Sequence, residues 1–150
     1  MKKLPNIPSE LIRVALADLG EVEEDHRYIV SMDDYYHQNT DWEFPGTCTV
    51  CFAGAVMART LNWPFHVNAV PQDFGEDRLA LKALDELRRG EVLQTVLLLS
   101  DPDKDTFSDS YDQLKSHNLV CVEVTPHKDD PGAFRDDMNQ LADRLEAIGL

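Results

Sequence analysis

The chain has 150 residues, 43% hydrophobic and 28% charged, which suits one globular domain that buries its core without disulfide staples. Acidic residues outnumber basic ones by 28 to 14, a net charge of −14, and this excludes a direct grip on nucleic-acid phosphates or anionic membranes, because both need Lys and Arg. No apolar run approaches the ~20 residues of a membrane span, and Met1-Lys2-Lys3 is not followed by a signal-like apolar stretch, so an unprocessed cytoplasmic protein is expected.

The first predicted element is an amphipathic helix in NIPSELIRVALADLG. Pro8 or Ser9 starts it, Leu11, Ile12, Ala15, Leu16 and Leu19 form its apolar stripe, and Gly20 is its expected stop. A short strand is expected at Tyr28 to Met32. The chain then becomes irregular. Tyr35, Tyr36, Trp42 and Phe44 stand among Asp33, Asp34, Asp41 and Glu43. A stretch of this kind is either a functional loop or a segment wrapped on the core by its aromatic side chains, and wrapping is the preferred reading.

Thr47 is placed as the N-cap of a helix running from Cys48 to about Leu61. The motif Cys48-Thr49-Val50-Cys51 then puts two thiols on the first helical turn, where unpaired backbone N–H groups favour thiolate. Three chemistries use that placement. A dithiol redox pair needs a preceding strand, and none is predicted. A zinc site would take Cys48, Cys51 and His37 with a fourth ligand from His26, His66, His117, His127 or Cys121, but no second ligand pair has zinc spacing. A Cys–His hydrolase would use Cys48 as nucleophile with His66 or His127 as base, but the papain-like surroundings are absent.

Against all three stands a packed core helix. Cysteine is a common buried residue, and Ala53, Gly54, Ala55 and Ala58 leave room for another element to approach. That reading is favoured, so no cofactor is expected, zinc being the one that the spacing admits. An odd total of three cysteines also argues against a disulfide framework.

Pro64 and Pro71 make the following segment a loop. Asp73 and Glu76 have capping-box spacing, so a helix is expected from near Phe74 to Gly90. Leu79, Ala83 and Leu87, with Ala80 and Leu84, lie along it, and Lys82–Glu86 and Asp85–Arg89 are expected as solvent-side pairs. EVLQTVLLLS fits a helix or a buried strand, and its length tilts it to helix. DPDKDTFSDS reads as an acidic turn; it lacks the glycine and the closing glutamate of a calcium loop. YDQLKSHN is a short helix candidate and LVCVEVTP a strand. The chain closes on a helix with the stripe Phe134, Met138, Leu141, Leu145 and Ile148 and an acidic first turn.

The expected fold is therefore α+β and mainly helical: one domain over residues 1–150, with four or five helices and one or two short strands. A small α/β layer is the alternative if TVLLLS is a strand.

The segments CTVCFAGAVMARTL, LKALDELRRGEV and AFRDDMNQLADRLEAIGL together resemble small uncharacterised proteins of tailed bacteriophages and prophages. The resemblance implies a bacterial cytoplasmic setting and an accessory role in infection, and it supplies no catalytic residues. Joined to the acidity, it implies a protein that occupies a host protein with a basic surface, in part by imitating nucleic-acid charge. Acidity alone also serves solubility. The expected contact residues are Asp33, Asp34, Tyr35, Tyr36, Asp41, Trp42 and Glu43 in the first segment, and Asp101, Asp103, Asp105 and Asp109 in the acidic turn.

Overall fold

The computed structural model describes residues 3–65, 71–100, 116 and 127–150. These form one mainly helical domain of five helices and a small three-stranded mixed sheet. The α+β expectation is met, and the sheet has one strand more than expected.

Helix α1 spans Pro8–Glu24, with proline in its first turn, where a missing N–H costs nothing. Leu11, Ile12, Ala15, Leu19 and Val22 are fully buried along one face. Gly20 does not stop the helix. The extra turn buries Val22, and Asp25 closes it with its backbone N–H on the Val22 carbonyl. Tertiary burial outweighs the weak helix preference of a single glycine, which is about 1 kcal/mol.

Strands β1 (Tyr28–Val30), β2 (Tyr36–Gln38) and β3 (Cys48–Val50) lie in the order β1-β3-β2. β1 runs parallel to β3, with Tyr28 opposite Cys48, and β2 runs antiparallel to it, with His37 opposite Thr49. Two expectations are corrected here. The aromatic segment is not irregular throughout, since it contains β2. Cys48, Thr49 and Val50 are not the start of a helix but the central strand. Thr49 and Val50 are β-branched, and pairing on both edges satisfies the strand's backbone. Helix α2 is correspondingly short, Phe52–Ala58, with Cys51 as its N-cap and all seven residues buried.

A 3₁₀ segment, Pro71–Asp77, replaces the expected helix start near Phe74. Gly75 interrupts it at φ 54, and helix α3 runs over Arg78–Arg89. The Asp77 carboxylate accepts the Leu4 backbone N–H at 3.1 Å. On α3, Leu81, Ala83, Leu84 and Leu87 face the core, whereas Leu79 is exposed. The pairs Lys82–Glu86 (3.7 Å) and Asp85–Arg89 (3.1 Å) both form, but the Asp85 and Glu86 carboxylates are largely buried, not on the solvent side. Gly90 ends α3 in the left-handed region, at φ 92. Helix α4, Val92–Ser100, decides residues 91–100 in favour of helix.

Helix α5, Pro131–Ala147, packs against α1. Phe134, Met138, Leu141 and Leu145 are buried as expected, and Ile148 lies just beyond the last turn. The first turn holds no acid. The nearby carboxylate is the cap itself, Asp130, which accepts the Gly132 and Ala133 N–H groups at 3.1 Å each. The acidic turn 101–109, the helix candidate 111–118, of which only Ser116 is described, and the strand 119–126 lie outside the described residues, as do His66, His117 and Cys121. Among the described residues no helix is long and apolar enough to cross a membrane.

Candidate functional site

Two regions competed for the functional role in the sequence, and the sheet connects them. One is the turn from β3 into α2, which carries both described cysteines. The other is the loop between β2 and β3, which carries Asp41 to Phe44.

The cysteine turn is closed. Cys48 and Cys51 are both fully buried free thiols. The Cys48 thiol donates to the Phe65 carbonyl, and the Cys51 thiol lies 3.6 Å from the Tyr35 carbonyl oxygen. That same carbonyl accepts the Cys51 backbone N–H at 3.4 Å. It fits there only because residue 54 is glycine. A Cβ on Gly54 would stand 1.9 Å from the Tyr35 oxygen, well inside any real contact. The start of α2 is thus covered by a backbone carbonyl, in the place where a thiolate or a substrate anion would have to sit.

Electrostatics agree with this geometry. Burial pushes the Cys51 thiol up to about 11, although Arg88 and the Gly54 and Ala53 N–H groups pull the other way. Burial alone raises Cys48. The expected lowering of thiol pKa at a helix start is therefore present at Cys51, but desolvation outweighs it. Arg88 is itself committed: it donates to the Met32 carbonyl and holds Asp85 at 2.6 Å. The Tyr35 hydroxyl nearby is buried without a hydrogen-bond partner among the described residues, and its ionisation is pushed up by burial.

The partners proposed for these thiols lie elsewhere. His37 is exposed on β2 opposite Thr49, on the sheet face that Thr49 shares and Cys48 does not. His127 stands before α5 with its ring nitrogen 4.0 Å from Asp137. His66 lies outside the described residues. Among the described residues no group of three or more His, Cys, Asp or Glu side chains is placed to hold a metal ion.

The β2–β3 loop is the opposite case. Its neck is held by the Asn39 N–H on the Thr47 carbonyl at 2.8 Å. The Asn39 amide also donates to the Thr47 and Thr49 hydroxyls, both at 2.9 Å. Thr47, expected to cap a helix, instead donates its hydroxyl to the Phe44 carbonyl at 2.9 Å. Gly46 turns the chain back toward β3 at φ 76, a conformation that costs other residues about 1–2 kcal/mol. From this neck Asp41, Trp42, Glu43 and Phe44 all project as exposed residues. Trp42 is 89% exposed and Phe44 51%, the two highest values among the large hydrophobics of the described residues.

The other expected contact residues divide between these regions. Asp33 and Asp34 are exposed, and Asp33 pairs with Lys128 at 3.2 Å. Tyr36 is buried with its hydroxyl 3.4 Å from the Pro64 carbonyl, and Tyr35 is half-buried. Tyr36 thus anchors the segment, and Tyr35 is only partly exposed. Asp101, Asp103, Asp105 and Asp109 lie outside the described residues. Asn39, Thr47 and Thr49, which fix the loop, carried no signal as a group in the sequence, since their contact depends on the β2–β3 register.

Charge sharpens the contrast. From Tyr28 through Ala58 the chain contains no Lys or Arg, while Asp33, Asp34, Asp41 and Glu43 are all exposed. Asp41 and Glu43 have no ion-pair partner among the described residues. Comparison with family models, with curated proteins and with solved structures finds no match.

Proposed function

We propose that this chain is a non-enzymatic accessory protein, of bacteriophage or prophage origin, that acts in the bacterial cytoplasm by binding a host protein with a basic surface. The observation that carries the reading is the β2–β3 loop: a wide-open indole flanked by carboxylates with no ion-pair partner among the described residues, on a neck tied by three hydrogen bonds from Asn39. Aromatic residues at the centre of an interface supply contact area, while surrounding charge of one sign steers encounter and selects the partner. The net charge of −14 extends that steering over the whole surface and gives the protein the sign of a nucleic acid.

A thiol enzyme built on Cys48 fits less well, because the two described thiols are buried and raised in pKa and the start of α2 is covered. The test is capture of bacterial proteins on the immobilised wild-type chain and on Trp42→Ala/Asp41→Asn/Glu43→Gln, each at low and at high salt. The reading expects a basic protein retained by wild type at low salt, released at high salt and lost from the variant. Screening of exposed charges beyond about 8 Å at physiological ionic strength accounts for the release. A retained set identical for both proteins, or indifferent to salt, overturns it.

A further inference from the structure

Among the described residues the protein contains a filled example of an arrangement that the loop presents unfilled. The Arg27 guanidinium is gripped by Asp25, with Nε–Oδ1 at 2.9 Å and Nη2–Oδ2 at 2.6 Å. The same group lies over two aromatic rings, 5.8 Å from the centroid of Tyr28 and 5.7 Å from that of Phe65. Carboxylate in the plane and π-face above are the two complements of a guanidinium. The Asp25 carboxyl is held well below the usual carboxylate range by this contact, so the pair is electrostatically engaged.

The loop tip offers the same components without the cation. Asp41 and Glu43 bracket Trp42, and Phe44 follows. All four are exposed, and neither carboxylate is paired among the described residues. No Lys or Arg occurs within fourteen residues of Trp42 on either side, as the flanking sequence shows. An indole is the best of the aromatic faces for a cation, and arginine stacks on it more often than lysine does. Folding also leaves the burial of a large aromatic unrealised at this position.

We infer that the β2–β3 tip is a clamp for an arginine side chain in an exposed basic segment of a partner protein, with the guanidinium stacked on Trp42 and held by Asp41 or Glu43. This rests on the proposed binding role and names the chemistry at its centre. The pre-tied neck means that little loop ordering is needed when the clamp closes, which favours affinity.

The chain has two tryptophans, so its indole N–H groups give two NMR signals, one from Trp42 and one from the internal reference Trp63. Trp63 packs against Phe74 with its Nε1 buried. The probe is an oligoarginine peptide, titrated into ¹⁵N-labelled protein and followed in parallel by calorimetry. The Trp42 signal is expected to shift to saturation while the Trp63 signal stays. Trp42→Ala is expected to weaken the peptide about two- to fivefold, the range of an exposed cation–π contact. Asp41→Asn/Glu43→Gln should weaken it more than Asp129→Asn/Asp136→Asn, which removes the same charge from exposed positions elsewhere. An oligolysine peptide of equal length should bind more weakly than oligoarginine.

Heat of binding with an unmoved Trp42 signal overturns the clamp and leaves the acidic-surface reading standing. So does equal weakening by the two charge-matched variants. Equal binding of oligolysine overturns the guanidinium assignment. No binding of either peptide at low salt overturns the clamp and the proposed function together.

Discussion

The cysteine turn and the loop tip are a few residues apart in sequence and are treated oppositely by the fold. Cys48 and Cys51 have no exposure, covered by the Phe65 and Tyr35 carbonyls, with an arginine and a carboxylate already paired beside Cys51. Trp42 is almost fully exposed, and the acids that flank it are exposed with no ion-pair partner among the described residues. Reactive residue types alone therefore do not locate an accessible surface. A thiol without solvent is packing material, and an indole left in water on a tied loop is a surface that folding does not use.

The most severe way to break this comparison is to open the closed region. Gly54→Ala drives a methyl group into the Tyr35 carbonyl at 1.9 Å, so a loss of about 3 kcal/mol or more is expected. At this chain length that lowers the melting temperature by roughly 6–12 °C. Gly46→Ala, at φ 76 with nothing within 4 Å of its Cβ, should cost only about 1–2 kcal/mol. Thermal unfolding of the two variants side by side checks the ranking, and equal losses would mean that the turn is not closed as described.

Buried and exposed acids should differ in the same way. Asp18 is buried on α1 and accepts the Thr60 hydroxyl at 2.6 Å, and burial pushes its carboxyl up to about 6. Its folded pKa lies above the unfolded value of about 3.9, so the folded state holds this proton more tightly. The resulting stabilisation is complete below about pH 4 and is lost as pH rises through about 6. Asp18→Asn should thus stabilise the protein above pH 6 by about 2 kcal/mol and change little below pH 4, as read from denaturant midpoints at both pH values. No gain at pH 7.5 would show that Asp18 is better solvated than its burial implies.

A smaller effect is expected from the thiols. Cys48→Ala and Cys51→Ala should each cost about 1–2 kcal/mol through lost packing. Peptide mapping after iodoacetamide treatment should find Cys48 and Cys51 unlabelled in the native protein at neutral pH and labelled on unfolding. Rapid native labelling at Cys48 would reopen the thiol chemistries.

The smallest stability effect belongs to the residues of the proposed contact surface. Trp42→Ala, Asp41→Asn and Glu43→Gln should each change stability by less than about 0.5 kcal/mol, because their side chains are solvated. A loss several times larger in Trp42→Ala would place the indole in the scaffold.

Much of the scaffold was legible in the sequence because helices carry their own period. The stripes of α1 and α5 read directly as Leu11–Leu19 and Phe134–Leu145, and Gly90 marked the end of α3. What failed had non-local causes. Cys48–Val50 is a strand because Tyr28–Val30 and Tyr36–Gln38 flank it, and nothing in Thr47-Cys48-Thr49 announces those neighbours. Gly20 reads as a stop, but burial of Val22 carries the helix past it. For the site, the composition of the Asp33–Phe44 segment was visible, and the division within it was not. Tyr35 and Tyr36 face inward and Trp42 and Phe44 outward because β2 ends at Gln38 and the Asn39–Thr47 tie begins the loop.

The measurement that bears most directly on this account is the affinity of an oligoarginine peptide, by calorimetry at low salt, for two variants compared with wild type: Trp42→Ala/Asp41→Asn/Glu43→Gln and Cys48→Ala/Cys51→Ala. The account predicts that the tip variant loses affinity about fivefold or more while the cysteine variant, where folded, binds as wild type does. Loss in the cysteine variant with full affinity in the tip variant would contradict it.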